Sequence, residues 1–132
     1  MKKLFIIFTM LMSLCSCDKK EIARIELKDV FLVKEEKYIV LFYSSSCHAC
    51  LDSLDILNKR YQIRKYPGFC VEISGLNGVL NKEKRSNIGV ASVDDLSLVT
   101  VPYLVFIKQG IIQKELYGVK EIQKENLYIF FE

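Results

Sequence analysis

The stretch 38-YIVLFYSSSCHAC-50 decides the fold. Its first part, residues 38–43, is continuously apolar and rich in β-branched and aromatic side chains. Such a run is typical of a strand that is buried on both faces and is therefore central in a sheet. Two cysteines, Cys47 and Cys50, follow the strand after three serines. The pair could bind a metal, lock a loop or carry out redox chemistry.

The residues from Cys50 onward follow a helical pattern. Cys50, Leu54, Leu57 and Tyr61 recur at spacings of four, three and four, which places them on one helix face. Cys47 would then sit at the helix N-terminus, where unpaired backbone N–H groups and the helix dipole favour a thiolate. Cys50 would lie about one turn further on, against the sheet. This predicts Cys47 as the attacking sulfur and Cys50 as the resolving sulfur of thiol–disulfide exchange.

His48 lies between the two cysteines. As an imidazolium it would stabilise a thiolate at Cys47 further, whereas as a neutral side chain it would only be a polar residue at a helix start. Both interpretations stay open, and a role as a catalytic base is the less favoured one.

Other roles for the cysteines are weaker. A closed zinc site needs four ligands, and beyond the pair the sequence offers only Cys70, inside an apolar strand, and His48, on the same turn. We therefore expect no metal and no other cofactor. A structural disulfide between such close residues would close almost no chain and stabilise little. Cys70 alone is typical of a small buried hydrophobe rather than of a third redox thiol.

The N-terminus has the pattern of a bacterial lipoprotein signal. Lys2 and Lys3 precede the apolar run 4–14, which is too short to span a bilayer comfortably and has the length of a signal core. The segment 14-LCSC-17 resembles a lipobox. That resemblance makes residues 1–16 a cleaved signal peptide, Cys17 the lipidated residue and residues 17–21 a short tether. An ordinary secretory signal and an uncleaved anchor are the alternatives.

Export and lipidation would set the location and limit the partners. We expect an extracytoplasmic protein of the cell envelope that is lipid-anchored to a membrane. Removal of two lysines with the signal lowers the formal net charge from +3 to +1, so the charge gives no argument for nucleic acid. Outside the cytoplasm unpaired thiols tend to be oxidised. The three remaining cysteines therefore look like one close pair and one spare thiol.

Residues 22–132 are sufficient for one domain with one core. The order of predicted elements is β-α-β-α-β-(α)-β-β-α, which predicts an α/β fold with a mixed central sheet and helices on both faces. The basic run 82–85 is typical of a solvated helix face. We predict strands over 22–27, 38–43, 69–73, 101–110 and 111–118, and helices over 28–36, from the cysteine pair onward, near 79–87 and over 120–131.

With these elements in place, residues 22–132 resemble the thioredoxin superfamily, in its lipoprotein-type envelope form. The resemblance rests on the strand and cysteine motif at 38–50, on 100-TVP-102, and on 103-YLVFIKQGIIQKELYG-118, which looks like the family's final hairpin. It implies a thioredoxin-like three-layer fold. It also implies that the Val101–Pro102 bond is cis and that Val101 pairs with a bound peptide beside the cysteines. The alternative is a proline that is merely tolerated at a strand start.

The sequence departs from the family pattern at several positions. Leu41 replaces the buried acid that the family carries six residues before the first cysteine, and Glu72 is a candidate substitute. Ser46 stands in place of the usual tryptophan. The two residues between the cysteines are His and Ala rather than Gly and Pro. These departures favour a dedicated envelope protein over a general cytosolic-type reductase.

The leading hypothesis is a membrane-anchored thiol–disulfide oxidoreductase, with a slight preference for reduction. Its partners would be exported proteins with thiols or disulfides and a membrane redox partner that supplies electrons. The alternatives are a thioredoxin-fold binding module without redox turnover and a small metal-binding lipoprotein. The expected site residues are Cys47, Cys50, His48 and Pro102 for catalysis, Val101 and Ser46 for substrate binding, and Cys17 for lipidation.

Overall fold

The computed structural model describes residues 20–73 and 85–132. The predicted signal peptide, Cys17 and most of the tether lie outside these ranges. The strands are β1 (Ala23–Arg24), β2 (Lys37–Tyr43), β3 (Gly68–Glu72), β4 (Tyr103–Lys108) and β5 (Ile111–Tyr117). The α-helices are α1 (His48–Ile63) and α2 (Gly118–Lys124), and short 3-10 helices span Leu27–Asp29, Val93–Asp95 and Leu127–Phe131.

The strands form one mixed sheet in the order β1-β3-β2-β4-β5. β3 is parallel to both β1 and β2, whereas β4 is antiparallel to both β2 and β5. β2 is therefore central, and every one of its residues after Lys37 is buried. The fold class predicted from the sequence is confirmed.

One face of the sheet is covered by the two α-helices. Ile39 and Leu41 of β2 belong to the same core cluster as Cys50 and Leu57 of α1 and Ile122 of α2. Both Cys50 and Leu57 are completely buried, as the helical spacing predicts. This packing fixes the first turn of α1 over the carboxyl end of β2.

Among the described residues, loops and 3-10 helices cover the opposite face. Tyr38 and Val40 of β2 pack there with Val30. The Tyr38 hydroxyl donates a 2.6 Å hydrogen bond to the Val30 carbonyl, which holds that segment on the sheet. The helix predicted over 28–36 is therefore wrong. The chain makes only the 3-10 turn Leu27–Asp29 and then runs without helix, because Val30 must enter the core.

Asn87 anchors residues 85–98 to this second face. Its side chain, which is fully buried, donates to the Ser97 carbonyl and to the Tyr103 hydroxyl, both at 2.8 Å. It also accepts the Ser97 N–H at 2.8 Å. Residues 85–87 are not helical, since these tertiary hydrogen bonds hold the chain in an irregular path. The rest of the helix predicted near 79–87 lies outside the described residues.

Two other elements, the first strand and the last helix, are shorter than predicted. β1 has two residues instead of six, because the Ile22 N–H donates to the Asn58 side chain of α1 at 2.9 Å rather than to a strand. The helix predicted over 120–131 is interrupted at Glu125, whose backbone is extended. The interruption leads into the last 3-10 helix and lets Leu127 join the α1-side core.

Two features limit the backbone that is open at the edges of the sheet. β1 ends after two residues. Along the start of β5, the Gly89 N–H donates to the Ile112 carbonyl at 2.8 Å, and the Ile112 N–H donates to the Val90 carbonyl at 3.0 Å. Gly89 and Val90 therefore lie along that outer edge.

The Asn87 contacts predict a large stability effect. Asn87→Ala should lower the free energy of unfolding by about 2–4 kcal/mol, since it leaves buried polar groups of Ser97 and Tyr103 without their partner. Asn126→Ala is the matched control, because Asn126 is exposed and its side chain makes no capping hydrogen bond. It should change the free energy by less than about 0.5 kcal/mol. Urea unfolding measures both, and equal effects would contradict the anchoring role.

Candidate active site

The cysteine pair lies where β2 runs into α1. β2 ends at Tyr43, and Cys47 is the N-cap residue of α1, with an extended backbone. The Cys50 N–H donates a hydrogen bond to the Cys47 sulfur at 3.2 Å. A cysteine thus takes the position that Ser, Thr, Asp or Asn usually fills at a helix start. This backbone donor and the helix N-terminus both stabilise negative charge on the Cys47 sulfur.

The two sulfurs lie in different environments. Cys47 is half-buried, whereas Cys50 is completely buried. Burial, with a smaller contribution from the hydrogen bond to Cys47, raises the pKa of Cys50 to about 12. The structure therefore gives the accessible sulfur to Cys47 and keeps the Cys50 sulfur protonated. Their roles as attacking and resolving sulfur remain a prediction.

The loop before Cys47 is built from serines. The Cys47 N–H donates to the Ser44 carbonyl at 3.1 Å, which turns the chain into the helix. The Ser44 and Ser46 hydroxyls are hydrogen-bonded at 3.0 Å. Ser46 and His48, on either side of Cys47, are both exposed. Small and polar neighbours thus leave the Cys47 sulfur open to a partner molecule.

The segment before β4 reaches the same end of the sheet. The Val101–Pro102 peptide bond is cis, as the resemblance implies. Because β2 and β4 are antiparallel, with Phe42 opposite Tyr103, the residues before β4 lie next to the end of β2. Val101 and Cys47 pack against the same core cluster. The structure therefore gathers at one sheet end the predicted residues Ser46, Cys47, His48, Cys50, Val101 and Pro102, while Cys17 lies outside the described residues.

No carboxylate of the described residues replaces the family's buried acid. Leu41 is completely buried on the α1 side of β2. Glu72, the candidate substitute, pairs with Arg24 of β1 at 2.5 Å. The groups that shift the pKa of Cys50 are its own burial, Cys47 and Ser44, and they do not include Glu72. The Cys50 sulfur therefore lies in an apolar environment.

Cys70 is a separate, buried thiol of β3. It is 4% exposed, and burial is the main reason why its pKa is raised to about 11. Cys47, Cys50 and Cys70 are all free thiols in this structure. Burial of Cys70 within the α1-side core agrees with the prediction of a small packed hydrophobe.

Sequence analysis missed a hydrogen-bond cluster beside Pro102. Glu115 of β5 accepts hydrogen bonds from the Tyr103 hydroxyl at 2.5 Å, the Asn87 N–H at 3.1 Å and the Ser86 hydroxyl at 2.8 Å. Burial acts to raise the pKa of Glu115, but these hydrogen bonds outweigh it and lower the pKa. Tyr103 follows Pro102 directly, so the cluster holds the start of β4. In the sequence, Glu115 cannot be distinguished from an ordinary solvent-facing acid.

Two searches for other features cover only residues 20–73 and 85–132. Within them, no three His, Cys, Asp or Glu side chains are grouped so that they could hold a metal ion. In the same ranges no helix combines the length and the apolar character needed to cross a membrane.

Comparison with known proteins yields structural likeness alone. No family model matches the sequence, and no curated protein matches it. A mutant thioredoxin from Halobacterium salinarum is similar over 78% of this chain and 82% of its own, with a TM-score of 0.56 and 14% identity. Spinach chloroplast thioredoxin f is similar over 76% of this chain and 78% of its own, with a TM-score of 0.57 and 14% identity.

A third similar structure is the oxidised form of mitochondrial thioredoxin 3 from Saccharomyces cerevisiae. The similarity covers 74% of this chain and 84% of the yeast protein, with a TM-score of 0.53 and 14% identity. The chain has the thioredoxin fold. The elements that define the site, β2, α1 and the cis proline before β4, all belong to this thioredoxin-fold domain.

The difference between the thiols predicts selective alkylation. Iodoacetamide at pH 8 should modify Cys47 in the folded, reduced protein and leave Cys50 and Cys70 unmodified, because both are buried and their pKa values are raised to about 12 and about 11. All three should react after unfolding in urea. Peptide mass spectrometry identifies the modified residue. Rapid modification of Cys50 in the folded Cys47→Ser protein would contradict its burial.

The Glu115 cluster predicts a pH-dependent stability. Its folded-state pKa is below the ordinary value of 4.5, so the carboxylate stabilises the fold above about that pH and the effect is lost as pH falls through the folded pKa. Glu115→Gln should therefore cost about 1–2 kcal/mol at pH 7 and much less near pH 3.

Urea midpoints at the two pH values test this prediction. Glu26→Gln is the control, since Glu26 is exposed and pairs only with the exposed Lys28. It should be almost neutral at both pH values. If Glu115→Gln lowers the free energy of unfolding equally at both pH values, the negative charge of Glu115 is not what stabilises the fold.

Proposed function

We propose that this protein is a membrane-anchored thiol–disulfide oxidoreductase that acts on exported proteins. The observation that carries the proposal is the Cys47 sulfur at the N-terminus of α1, with the buried Cys50 thiol one turn away. The thioredoxin fold and the cis Val101–Pro102 bond at the same sheet end support it.

The proposed reaction is a two-step disulfide exchange. The Cys47 thiolate attacks one sulfur of a target disulfide, that S–S bond breaks, and the released target thiolate takes up a proton. The Cys50 thiol then loses its proton and attacks the Cys47 sulfur of the mixed disulfide. The second target thiolate leaves and is protonated. Two electrons pass to the target, which becomes a dithiol, and the Cys47–Cys50 disulfide remains.

Residues around the pair would support binding and charge. The Val101 backbone would pair with an extended target segment, and its packing against the same core cluster as Cys47 supports this role. Ser46 is exposed next to Cys47 and leaves room for a bulky target. His48 is also exposed, so an imidazolium there would add charge stabilisation to the thiolate without blocking access.

We infer reduction as the working direction. Strong oxidants of this chemistry are proteins whose reduced form is specially stabilised. Here the described structure shows the Cys50 N–H and the Cys50 thiol as donors to the Cys47 sulfur, with no charged donor, and the neighbouring His48 is in solvent. A dithiol redox partner in the membrane would then return electrons to the Cys47–Cys50 disulfide.

The anchoring part of the proposal rests on the lipobox-like segment 14-LCSC-17. Lipid on Cys17 would hold the domain at an extracytoplasmic membrane surface, where exported proteins fold. Mass spectrometry of the protein purified from membranes tests for a lipid at Cys17.

The first functional test is the reduction potential of the Cys47–Cys50 pair. We expect a value near about −270 mV, in the range of reductases, after equilibration in thiol buffers and alkylation of the remaining thiols. A value near about −120 mV would reverse the direction to oxidation. If no disulfide forms between these residues across the whole range, the redox function is wrong.

Substitutions separate the roles of the three thiols. Cys47→Ser should abolish turnover of a disulfide substrate, and Cys50→Ser should trap a mixed disulfide on Cys47, because no second sulfur remains to resolve it. Cys70→Ser is the matched control and should keep full turnover. If a cellular activity survives the loss of both Cys47 and Cys50, the protein is a binding module instead.

A further inference from the structure

The described chain begins beside the end of α1. The Gln62 side chain donates a hydrogen bond to the Lys20 carbonyl at 3.2 Å. Two residues later, the Ile22 N–H donates to the Asn58 side chain at 2.9 Å. The N-terminal segment is therefore attached to the C-terminal half of this helix.

The distance from there to the proposed lipid is short. Cys17 precedes Lys20 by three residues. A fully extended chain of that length spans at most about 10–11 Å. If Cys17 carries the lipid, as the proposed function holds, Lys20 lies within about that distance of the lipidated residue, and Gln62 links Lys20 to the last turn of α1.

The surface at this point has a composition that suits a bilayer. We call it the anchor face and define it by Lys20, Gln62, Ile63, Arg64 and Lys65, all of which are exposed. Ile63 has 81% of its surface in solvent, more than the other exposed large hydrophobic side chains of the described residues. An apolar side chain between cationic ones is typical of groups that sit at a membrane interface.

The neighbouring charges are nearly balanced. Glu21 and Glu35 border the groove that Lys65 lines, and Asp55 pairs with Lys59 at 3.0 Å one turn earlier. Electrostatic attraction is therefore modest here. The support for membrane contact therefore comes from the short tether between Cys17 and Lys20 and from the exposure of Ile63.

We propose that the anchor face rests on the lipid bilayer, with Ile63 inserted between headgroups and Arg64 beside lipid phosphates. This proposal rests on the lipidation of Cys17 that forms part of the proposed function. Its consequence concerns the other end of the helix. α1 has 16 residues and is about 24 Å long, so Cys47, at the opposite end of the helix, can lie up to about that distance from the bilayer.

The distance of Cys47 from the bilayer would determine which target proteins can reach it. The site would accept disulfides of exported proteins that approach from the aqueous side. Its redox partner would also have to present its dithiol at the height of Cys47, which the length of α1 limits to about 24 Å above the anchor face.

Amide hydrogen exchange of the lipidated mature chain on vesicles tests the proposal. The vesicles contain phosphatidylethanolamine and phosphatidylglycerol. Exchange over residues 61–65 is compared between the native chain, Ile63→Ser and the control Ile88→Ser. Ile88 is also exposed, at 58%, but lies next to residues that line the outer edge of β5.

The native chain and Ile88→Ser should exchange equally slowly over residues 61–65. Ile63→Ser should exchange roughly tenfold faster there, the factor expected from losing the burial of one isoleucine. Residues 44–48 at the redox site should exchange at the same rate in all three chains.

The remaining outcomes overturn the proposal in separate ways. If Cys17 is lipidated but Ile63→Ser exchanges like the native chain, the membrane does not cover the anchor face, while anchoring and redox activity stand. If Cys17 carries no lipid, the anchoring part of the proposed function fails together with this inference. The reduction potential of the Cys47–Cys50 pair is measured independently of both results.

Discussion

The structure depends on the burial of one strand on both of its faces. Residues 38–43 of β2 are almost without exposure, and six consecutive apolar side chains require a cover on each side. The α-helices supply one cover, and the loops around Val30 and Asn87 supply the other. β3 and β4 pair with the two edges of β2. At the carboxyl end of β2 the chain passes into α1, and Cys47 lies at this junction.

The same packing creates the difference between the two sulfurs. α1 must turn an apolar face to the sheet, and Cys50 belongs to that face, whereas Cys47 precedes the first helical residue and stays accessible. Burial beside Leu41 and Leu57 leaves Cys47 as the ionisable group that acts on the Cys50 thiol, and no carboxylate of the described residues is among the groups that shift its pKa. In the proposed reaction its proton would therefore pass to the departing sulfur or to water rather than to a buried carboxylate.

The sequence predicted those parts of the fold that depend on residues close together in the chain. The apolar run of β2, the helical spacing after Cys50 and the hairpin of β4 and β5 were all correct, because each is determined by side chains a few residues apart. Errors arose where distant contacts decide. Tyr38 holds Val30, Asn58 binds Ile22 just before β1, and Asn87 binds Ser97, and no spacing in the sequence reveals these pairs. Glu115 escaped notice for the same reason.

The sheet edges would acquire a particular meaning if Cys17 holds the protein on a membrane surface, as proposed. Tethering confines molecules to a thin layer and raises their local concentration, which promotes strand-to-strand aggregation through any open edge. β1 has two residues, and Gly89 and Val90 bond the backbone of Ile112 at the start of β5. Both features shorten the backbone that an edge offers to a crowded neighbour.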